Sequence, residues 1–198
     1  MRIYTRKGDD GTTGLLYGGR VGKSSPRIEL NGAVDEAQAA LGAARAESPP
    51  GSELDGLLVT LERELYVLMA EVATAPGNRR KLVPGESLVT EEMVRRLEEW
   101  IDALSERFSM PEEFVVPGAN RVAAALDVAR TVVRRAERVL VSAGPLERAE
   151  AGPSASGDAA SNVGPYLNRL SDLLWVMARW QEGEGHLAAR ERPARVEA

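Results

Sequence analysis

Apolar side chains recur every three or four positions along most of the chain, and this spacing restricts the possible folds more than any other feature. It is clearest in residues 52–74, where one face of a helix would carry a continuous stripe of leucine. The same period marks residues 29–46, 90–108, 120–141 and 161–181. Such a period is typical of amphipathic helices, which bury their apolar faces against one another. The sequence therefore predicts an all-α fold, a five-helix bundle.

The composition agrees with a helical domain and excludes several classes of protein. Aromatic residues make up only 5% of the 198 residues, and a net charge of -5 provides no positive field that would attract nucleic acid. With no cysteine and one histidine, His186, the chain has no means of forming disulfides, thiolate metal sites or histidine-rich metal sites. No apolar run reaches the ~18–20 residues of a membrane span, and the start has no apolar signal core. We therefore expect a cytoplasmic protein without nucleic-acid or membrane partners.

The first residues differ in character from the helical remainder. Residues 1–27 are rich in glycine, threonine and charged residues, and predict an ordered loop with short strands near residues 2–5 and 15–17, the alternative being a disordered terminus. Small residues and proline predict a flexible loop at 143–160. The chain is thus expected to be one domain of residues 1–198, with an N-terminal loop at 1–27, a helical bundle at 28–185 and a charged tail at 186–198.

Arginines cluster on the fourth predicted helix. Arg130, Arg134 and Arg138 are four positions apart, so they share one face of the helix, and Arg135 lies beside them. A guanidinium group fits both carboxylates and phosphates. The spacing alone leaves two interpretations open, which are salt bridges to neighbouring helices and an anion-binding site.

Two further groups of polar residues are candidates for holding a ligand. Asn168 and Asp172 lie one turn apart in a strongly apolar segment, where a buried amide needs a partner from another helix or from a ligand. Residues 5–14 combine glycines with hydroxyl groups and Lys7. Glycines let backbone N–H groups approach an anion, so this segment is a second candidate anion site.

Four stretches carry recognisable patterns in a fixed order. They read YTRKGDDGTTG at residues 4–14, GRVGKSSPRIELNGAVDE at 19–36, ARTVVRRAER at 129–138 and YLNRLSD at 166–172. The ordered set resembles the PduO-type ATP:cob(I)alamin (corrinoid) adenosyltransferases. This resemblance covers nearly the whole chain. It implies a ferritin-like five-helix bundle that forms a homotrimer, with active sites between subunits.

The resemblance also implies an activity, the transfer of the 5′-deoxyadenosyl group of ATP to the cobalt of cob(I)alamin with release of triphosphate. Arg134 and Asn168 would be catalytic residues that bind the nucleotide, with Glu137 and Arg138 beside them. The residues expected to wrap the nucleotide and its triphosphate near the N-terminus are Thr5, Arg6, Lys7, Gly8, Thr13, Gly14 and Lys23.

The same resemblance implies further roles. Phe114, the third expected catalytic residue, would press on the lower face of the corrin and leave the cobalt four-coordinate. Asp35 and Arg130 would pair across the subunit interface and order the site. Mg²⁺ would be held by the ATP phosphates rather than by a protein metal site. A flavoprotein reductase and an adenosylcobalamin-dependent enzyme are the expected protein partners.

The chain departs from the family pattern at several positions. Asp127 stands where histidine is frequent, Ala119 and Asn120 replace glycine and serine, and Met69 and Glu71 replace smaller residues. Two alternatives to the enzyme stay open. One is a corrinoid carrier or escort that delivers adenosylcobalamin, and the other is a structural helical oligomer without catalysis.

Overall fold

Five α-helices dominate the fold. A computed structural model describes residue 4 and residues 6–151 and 161–189. The helices are α1 (Pro26–Ala46), α2 (Glu53–Val72), α3 (Glu91–Ser105), α4 (Arg121–Ala151) and α5 (Val163–Glu182), with a 3-10 helix at Pro76–Lys81. The strands are short: β1 (Thr12–Gly14), β2 (Arg20–Gly22), β3 (Val115–Val116) and β4 (Leu187–Ala188).

The helices pack as one bundle around a shared apolar core. Helix α1 packs against α2 and α4, while α5 packs against α4 on one side and α3 on the other. The predicted leucine stripe of α2 is buried, and so is most of α5. The predicted all-α bundle is therefore confirmed. No helix within the described residues is long and apolar enough to cross a membrane.

The glycine-rich start of the chain is ordered as a hairpin from Gly8 onward. Strands β1 and β2 pair antiparallel, and the chain reverses through Tyr17, Gly18 and Gly19, all with positive φ. The hairpin is attached to the bundle because the Leu16 amide donates to the Ala73 carbonyl at 2.9 Å. Nearby, the buried Arg27 donates to the carbonyls of Val72 and Thr74 at 2.8 and 3.0 Å.

Several predicted boundaries differ from the structure. The strand expected at residues 15–17 is wrong, because these residues lead into and form the hairpin turn between the true strands. The strand expected at residues 2–5 falls mostly outside the described residues, and Tyr4 is not in a strand. Helix α1 begins at Pro26 rather than near residue 29, because proline at the first helical position has its φ already set and loses no hydrogen bond.

The fourth helix is longer than the sequence predicts. Helix α4 continues through Gly144 and Pro145 to Ala151, so the expected flexible loop is wrong for residues 143–151, and its remaining part lies outside the described residues. Strong helix formers follow the proline, in the run Leu-Glu-Arg-Ala-Glu-Ala, and favour continuation.

The segment expected as a charged tail also begins with structure. Strand β4 pairs antiparallel with β3, with Val115 opposite Ala188 and Val116 opposite Leu187. The Ala189 amide extends this contact by donating to the Phe114 carbonyl at 2.7 Å. Residues 190–198 lie outside the described part.

Buried polar residues are satisfied between helices. The Tyr166 hydroxyl on α5 donates to the Glu64 carboxylate on α2 at 2.7 Å, and Arg96 on α3 pairs with the same carboxylate at 3.1 Å. Burial raises the pKa of Glu64 above its ordinary value, although the hydrogen bond from Tyr166 and the charge of Arg96 act in the opposite direction. Ionised Glu64 therefore carries a desolvation cost that the protonated form avoids.

This burial predicts a pH-dependent contribution to stability. A folded-state pKa above the unfolded value means that the folded protein takes up the proton first, so the contribution of Glu64 grows as the pH falls towards the unfolded pKa. As the pH is lowered from about 7 to about 5, the unmodified protein is expected to gain free energy of unfolding relative to the Glu64→Gln variant. Urea denaturation of both proteins at each pH measures this difference, and a difference independent of pH would contradict the prediction.

Candidate functional site

The arginines of α4 divide into two groups by their partners. Arg130 donates through Nε to Asp127 Oδ1 at 3.2 Å, and Arg135 pairs with Glu36 on α1. Arg134 and Arg138 are exposed, and within the described residues no carboxylate pairs with either of them. Salt bridges within the subunit thus involve the first two arginines, whereas Arg138 donates through Nη1 to the Arg134 carbonyl at 3.2 Å.

The structure brings Glu137 and Asn168 together. The Asn168 side-chain amide donates from Nδ2 to Glu137 Oε1 at 2.9 Å, joining α5 to α4. Its Oδ1 atom accepts from Arg169 Nη1, and Arg169 also donates through Nε to Glu98 at 2.9 Å. The amide is consequently fixed in one orientation beside the exposed α4 arginines.

The hairpin brings Gly8 against Lys23. A Cβ atom added at Gly8 would lie 3.2 Å from Lys23 Nζ and 3.2 Å from the Thr12 carbonyl oxygen, so a larger residue there would require these neighbours to shift by a few tenths of an ångström. Thr13 and Gly14 lie in β1, across the hairpin from the strand that leads to Lys23. The backbone and the lysine charge together make a surface suited to an anion.

The other N-terminal candidates are less constrained by the fold. Arg6 has a φ of 60° and its guanidinium lies 5.6 Å from the centre of the Tyr4 ring. The Lys7 carbonyl accepts from Arg20 Nη2. Thr5 lies outside the described residues.

A cavity of about 410 Å³ lies between the start of α1 and the C-terminal half of α4. Arg138 projects into it, so the predicted arginine face and the end of the hairpin meet at one cavity. Its volume is in the range of small-molecule sites. The N-terminus of α1 and Arg138 favour an anionic group there, whereas the Glu29 carboxylate opposes one and Arg135 is already paired with Glu36. The lining residues are Ser24, Pro26, Glu29, Arg135, Arg138, Val139, Ser142 and Ala143.

The remaining candidates lie apart from this cavity. Phe114, at the start of the β3 connection, is 90% exposed. Asp35 is exposed on α1, and within one chain Arg130 pairs with Asp127 rather than with Asp35. In the described part of one chain, no contact joins Phe114 or Asp35 to the paired Glu137 and Asn168.

The structure also accounts for two departures from the family pattern. Asn120 caps α4, because its Oδ1 accepts from the Ala123 amide at 2.8 Å, and its Nδ2 donates to the Gln181 carbonyl at 2.9 Å. Glu71 is buried and accepts from Arg79 Nη2, the Val89 amide and the Ser161 hydroxyl at 2.9, 2.8 and 2.6 Å. Both side chains are therefore satisfied within the bundle.

Comparison with known proteins identifies the family. The family model described as Cobalamin adenosyltransferase matches residues 3–181. The chain belongs to the cobalamin adenosyltransferase family. The resemblance of the sequence to the PduO-type corrinoid adenosyltransferases is therefore confirmed. The activity that the resemblance implies is the activity named for the relatives.

Individual members of the cobalamin adenosyltransferase family match along most of their length. A corrinoid adenosyltransferase from Mycobacterium tuberculosis is 38% identical over 190 residues, which cover 96% of this chain and 93% of that protein. A cobalamin adenosyltransferase from Cupriavidus metallidurans is 37% identical over 178 residues, covering 90% and 86%. The solved structure of a variant PduO-type ATP:corrinoid adenosyltransferase from Lactobacillus reuteri, complexed with cobalamin and ATP, superposes with a TM-score of 0.78 at 28% identity, covering 91% and 93%.

Sequence reasoning about this family member missed the charged residues buried between helices. Arg179 is 2% exposed, and it pairs with Asp127 and Glu182. The sequence does contain a signal for this pair. Arg179 lies three positions after Val176 on the apolar face of α5, and a charged residue on such a face needs a partner of opposite charge.

The free guanidinium of Arg134 predicts a functional rather than a structural role within the subunit. Arg134→Ala removes no ion pair within the described residues, so we expect the free energy of unfolding to change by less than about 0.5 kcal/mol. The affinity for ATP should fall by about tenfold or more, because a charge-assisted hydrogen bond contributes about 1.5–3 kcal/mol. Calorimetric ATP titration and urea denaturation provide the two measurements.

The matched control is Arg95→Ala, the same change on the exposed face of α3, where Arg95 pairs with Glu92 and Glu99. This control should retain the affinity for ATP. Loss of stability in Arg134→Ala with unchanged ATP affinity would favour the structural interpretation.

Proposed function

We propose that this chain transfers the 5′-deoxyadenosyl group of ATP to the cobalt of cob(I)alamin, forming adenosylcobalamin and triphosphate. The observation that carries the proposal is the pair of exposed arginines on α4, Arg134 and Arg138, which lack carboxylate partners within the described residues, with Arg138 lining the cavity at the start of α1. The ordered hairpin and Lys23 border the same end of α1. A phosphate-bearing ligand fits this combination of charges and backbone N–H groups.

The hairpin is proposed to hold the triphosphate of ATP. Lys23 supplies a positive charge, and the glycines at its side allow backbone N–H groups to approach phosphate oxygens. Mg²⁺ would arrive on the phosphates, since no group of three or more histidine, cysteine or acidic side chains among the described residues is arranged to hold a metal ion. The full set proposed for this role is Thr5, Arg6, Lys7, Gly8, Thr13, Gly14 and Lys23.

The exposed face of α4 is proposed to hold the rest of the nucleotide. Arg134 and Arg138 offer guanidinium groups to the phosphates, where they would stabilise the charge that develops on the leaving triphosphate. Glu137 orients the Asn168 amide through the 2.9 Å hydrogen bond, so that the pair is fixed before the nucleotide binds. These residues position ATP and its leaving group and transfer no proton.

The reaction requires positioning more than acid–base catalysis. The cobalt of cob(I)alamin supplies an electron pair to C5′ of ATP, a cobalt–carbon bond forms, and the bond between C5′ and the triphosphate oxygen breaks. The electrons of the broken bond leave on triphosphate, so no proton transfer is needed at the reacting carbon. In-line placement of cobalt, C5′ and the leaving oxygen is the main task of the protein.

Phe114 is proposed to contact the corrinoid. An apolar ring that is 90% exposed gains from contact with an apolar partner, and it offers no ligand to cobalt. Pressed against the lower face of the corrin, it would exclude water and an axial base. Four-coordinate Co(II) is easier to reduce to Co(I), which is the state that the transfer needs.

The active form is proposed to be a homotrimer with its sites between subunits. Val128 and Val141 are apolar residues exposed on α4 in the subunit, at 58% and 71%, and burial of either against a neighbouring subunit would be favourable. Asp35 on one subunit would pair with Arg130 on its neighbour and order the site. The cytoplasmic location, the flavoprotein reductase and the adenosylcobalamin-dependent acceptor stay predictions from the sequence.

A turnover assay distinguishes the enzyme from a carrier and from a structural oligomer. Chemically reduced cob(I)alamin is mixed anaerobically with protein and MgATP, and the conversion to the adenosylcobalamin spectrum is followed. We expect turnover in the unmodified protein and a loss of about tenfold or more in Arg134→Ala and in Asn168→Ala. Binding of ATP and corrinoid without turnover would favour a carrier, and binding of neither would leave a structural oligomer.

The proposed role of Phe114 makes a separate prediction. Phe114→Ala is expected to remain folded, because the side chain is almost fully exposed in the subunit. The variant should bind cob(II)alamin and MgATP but lose most of the electron paramagnetic resonance signal of four-coordinate Co(II). A full four-coordinate signal in the variant would contradict the role.

A further inference from the structure

A chain of alternating charges runs from the interior of the bundle to the surface of α4. Arg179 on α5 is buried between two carboxylates, donating through Nη2 to Asp127 Oδ2 at 2.6 Å and to Glu182 Oε1 at 3.0 Å. Its Nε atom lies 2.8 Å from Glu182 Oε2. The second oxygen of Asp127, Oδ1, accepts from Arg130 Nε at 3.2 Å. The order from inside to outside is therefore Glu182, Arg179, Asp127 and Arg130.

Removing these charged side chains from water costs free energy, so we ask what the buried ion pairs do for Arg130, the exposed end of the chain of charges. The side chains of Arg179 and Asp127 are only 2% and 6% exposed, whereas that of Arg130 is 26% exposed. Apolar residues of similar volume would often give equal or greater stability than buried ion pairs. The feature that apolar residues would not reproduce is a fixed orientation of the arginine at the surface.

The geometry of the contact determines which edge of Arg130 stays available. A guanidinium group has a side edge that includes the Nε–H and a terminal edge formed by its two Nη groups. Asp127 takes the Nε–H, and in the part of the chain that the structure describes no acceptor contacts the two Nη groups of Arg130. With Nε engaged by Asp127, the terminal edge is the one left to bind a second carboxylate with two parallel hydrogen bonds.

We propose that Asp127, anchored by Arg179, is a positioning residue that holds the Arg130 guanidinium with its terminal edge presented to a carboxylate of another subunit. The inference rests on the proposed function, in which that carboxylate is Asp35 of the neighbour. Asp127 does not touch ATP or the corrinoid and acts only through Arg130. Arg179 fixes Asp127 because it is itself clamped by Glu182, so the orientation is set before the subunits meet.

The test is a double-mutant cycle in subunit association. Asp127→Asn keeps the shape of the side chain, but only one of its two terminal atoms is an acceptor, so it no longer bridges both arginines. Sedimentation velocity over a concentration series should show that the variant dissociates at a protein concentration about tenfold or more above that at which the unmodified protein dissociates. Arg130→Ala should weaken association similarly, and the double variant should be no weaker than Arg130→Ala alone.

Glu64→Gln is the matched control, because it neutralises another buried carboxylate that pairs with an arginine, Arg96, far from Arg130 in the chain. It is expected to change stability without changing association. Where Asp127→Asn does not fold, Asp127→Glu keeps the charge but displaces the carboxylate, and it should also weaken association. The fold of each variant is checked by circular dichroism.

Several results would overturn the proposal. Additive effects of Asp127→Asn and Arg130→Ala on association would show that Asp127 does not act through Arg130, and so would unchanged association in all folded Asp127 variants. An unmodified protein that is monomeric at every concentration would overturn it as well. Absence of turnover in the unmodified protein, with association behaving as expected, would instead reject the proposed function and leave the positioning role supported.

Discussion

Burial of α5 on nearly all sides is the constraint on which the rest of the structure depends. This helix lies between α3 and α4 and also reaches α2, so its buried polar side chains need hydrogen-bond partners, and three of them find one on a neighbouring helix. Tyr166 contacts Glu64 on α2, Asn168 contacts Glu137 on α4, and Arg179, about three turns further along α5, contacts Asp127 on α4. These contacts fix the helix in its register along the bundle as well as in its orientation.

Helix α4 has the complementary arrangement, with one face in the core and the other free. The buried face packs against α1 and α5, and its arginines are sorted by position around the helix. Arg130 and Arg135 are committed to carboxylates of the same chain, whereas Arg134 and Arg138 are not, within the described residues. Arginines with and without a carboxylate partner in the described part of the chain therefore alternate between residues 130 and 138, which is why their spacing alone does not separate them.

Local sequence predicted the helices well because a 3.6-residue apolar period reports directly on burial. It predicted strands at residues 15–17 wrongly, since three-residue strands have too few side chains to show alternation and depend on pairing partners elsewhere. The predicted end of α4 was also too early, because Gly144 and Pro145 are residues that usually end a helix, and the helix-forming residues after them were given too little weight. The family resemblance named Glu137 and Asn168 as separate site residues, and their mutual hydrogen bond was not predicted. The buried contacts of Asp127 and Glu71 depend on distant residues, so a one-dimensional pattern does not contain them.

The attachment of the hairpin to α2 links the glycine-rich start of the chain to the helical core. Leu16 and Arg27 both bind carbonyl groups at residues 72–74, where α2 ends, so unwinding of the last turn of α2 would release both contacts together. The hairpin and that turn therefore form one cooperative unit of local opening. By thermodynamic linkage, a ligand that binds only the closed hairpin also protects the end of α2, and amide hydrogen exchange there would slow in proportion to ligand occupancy.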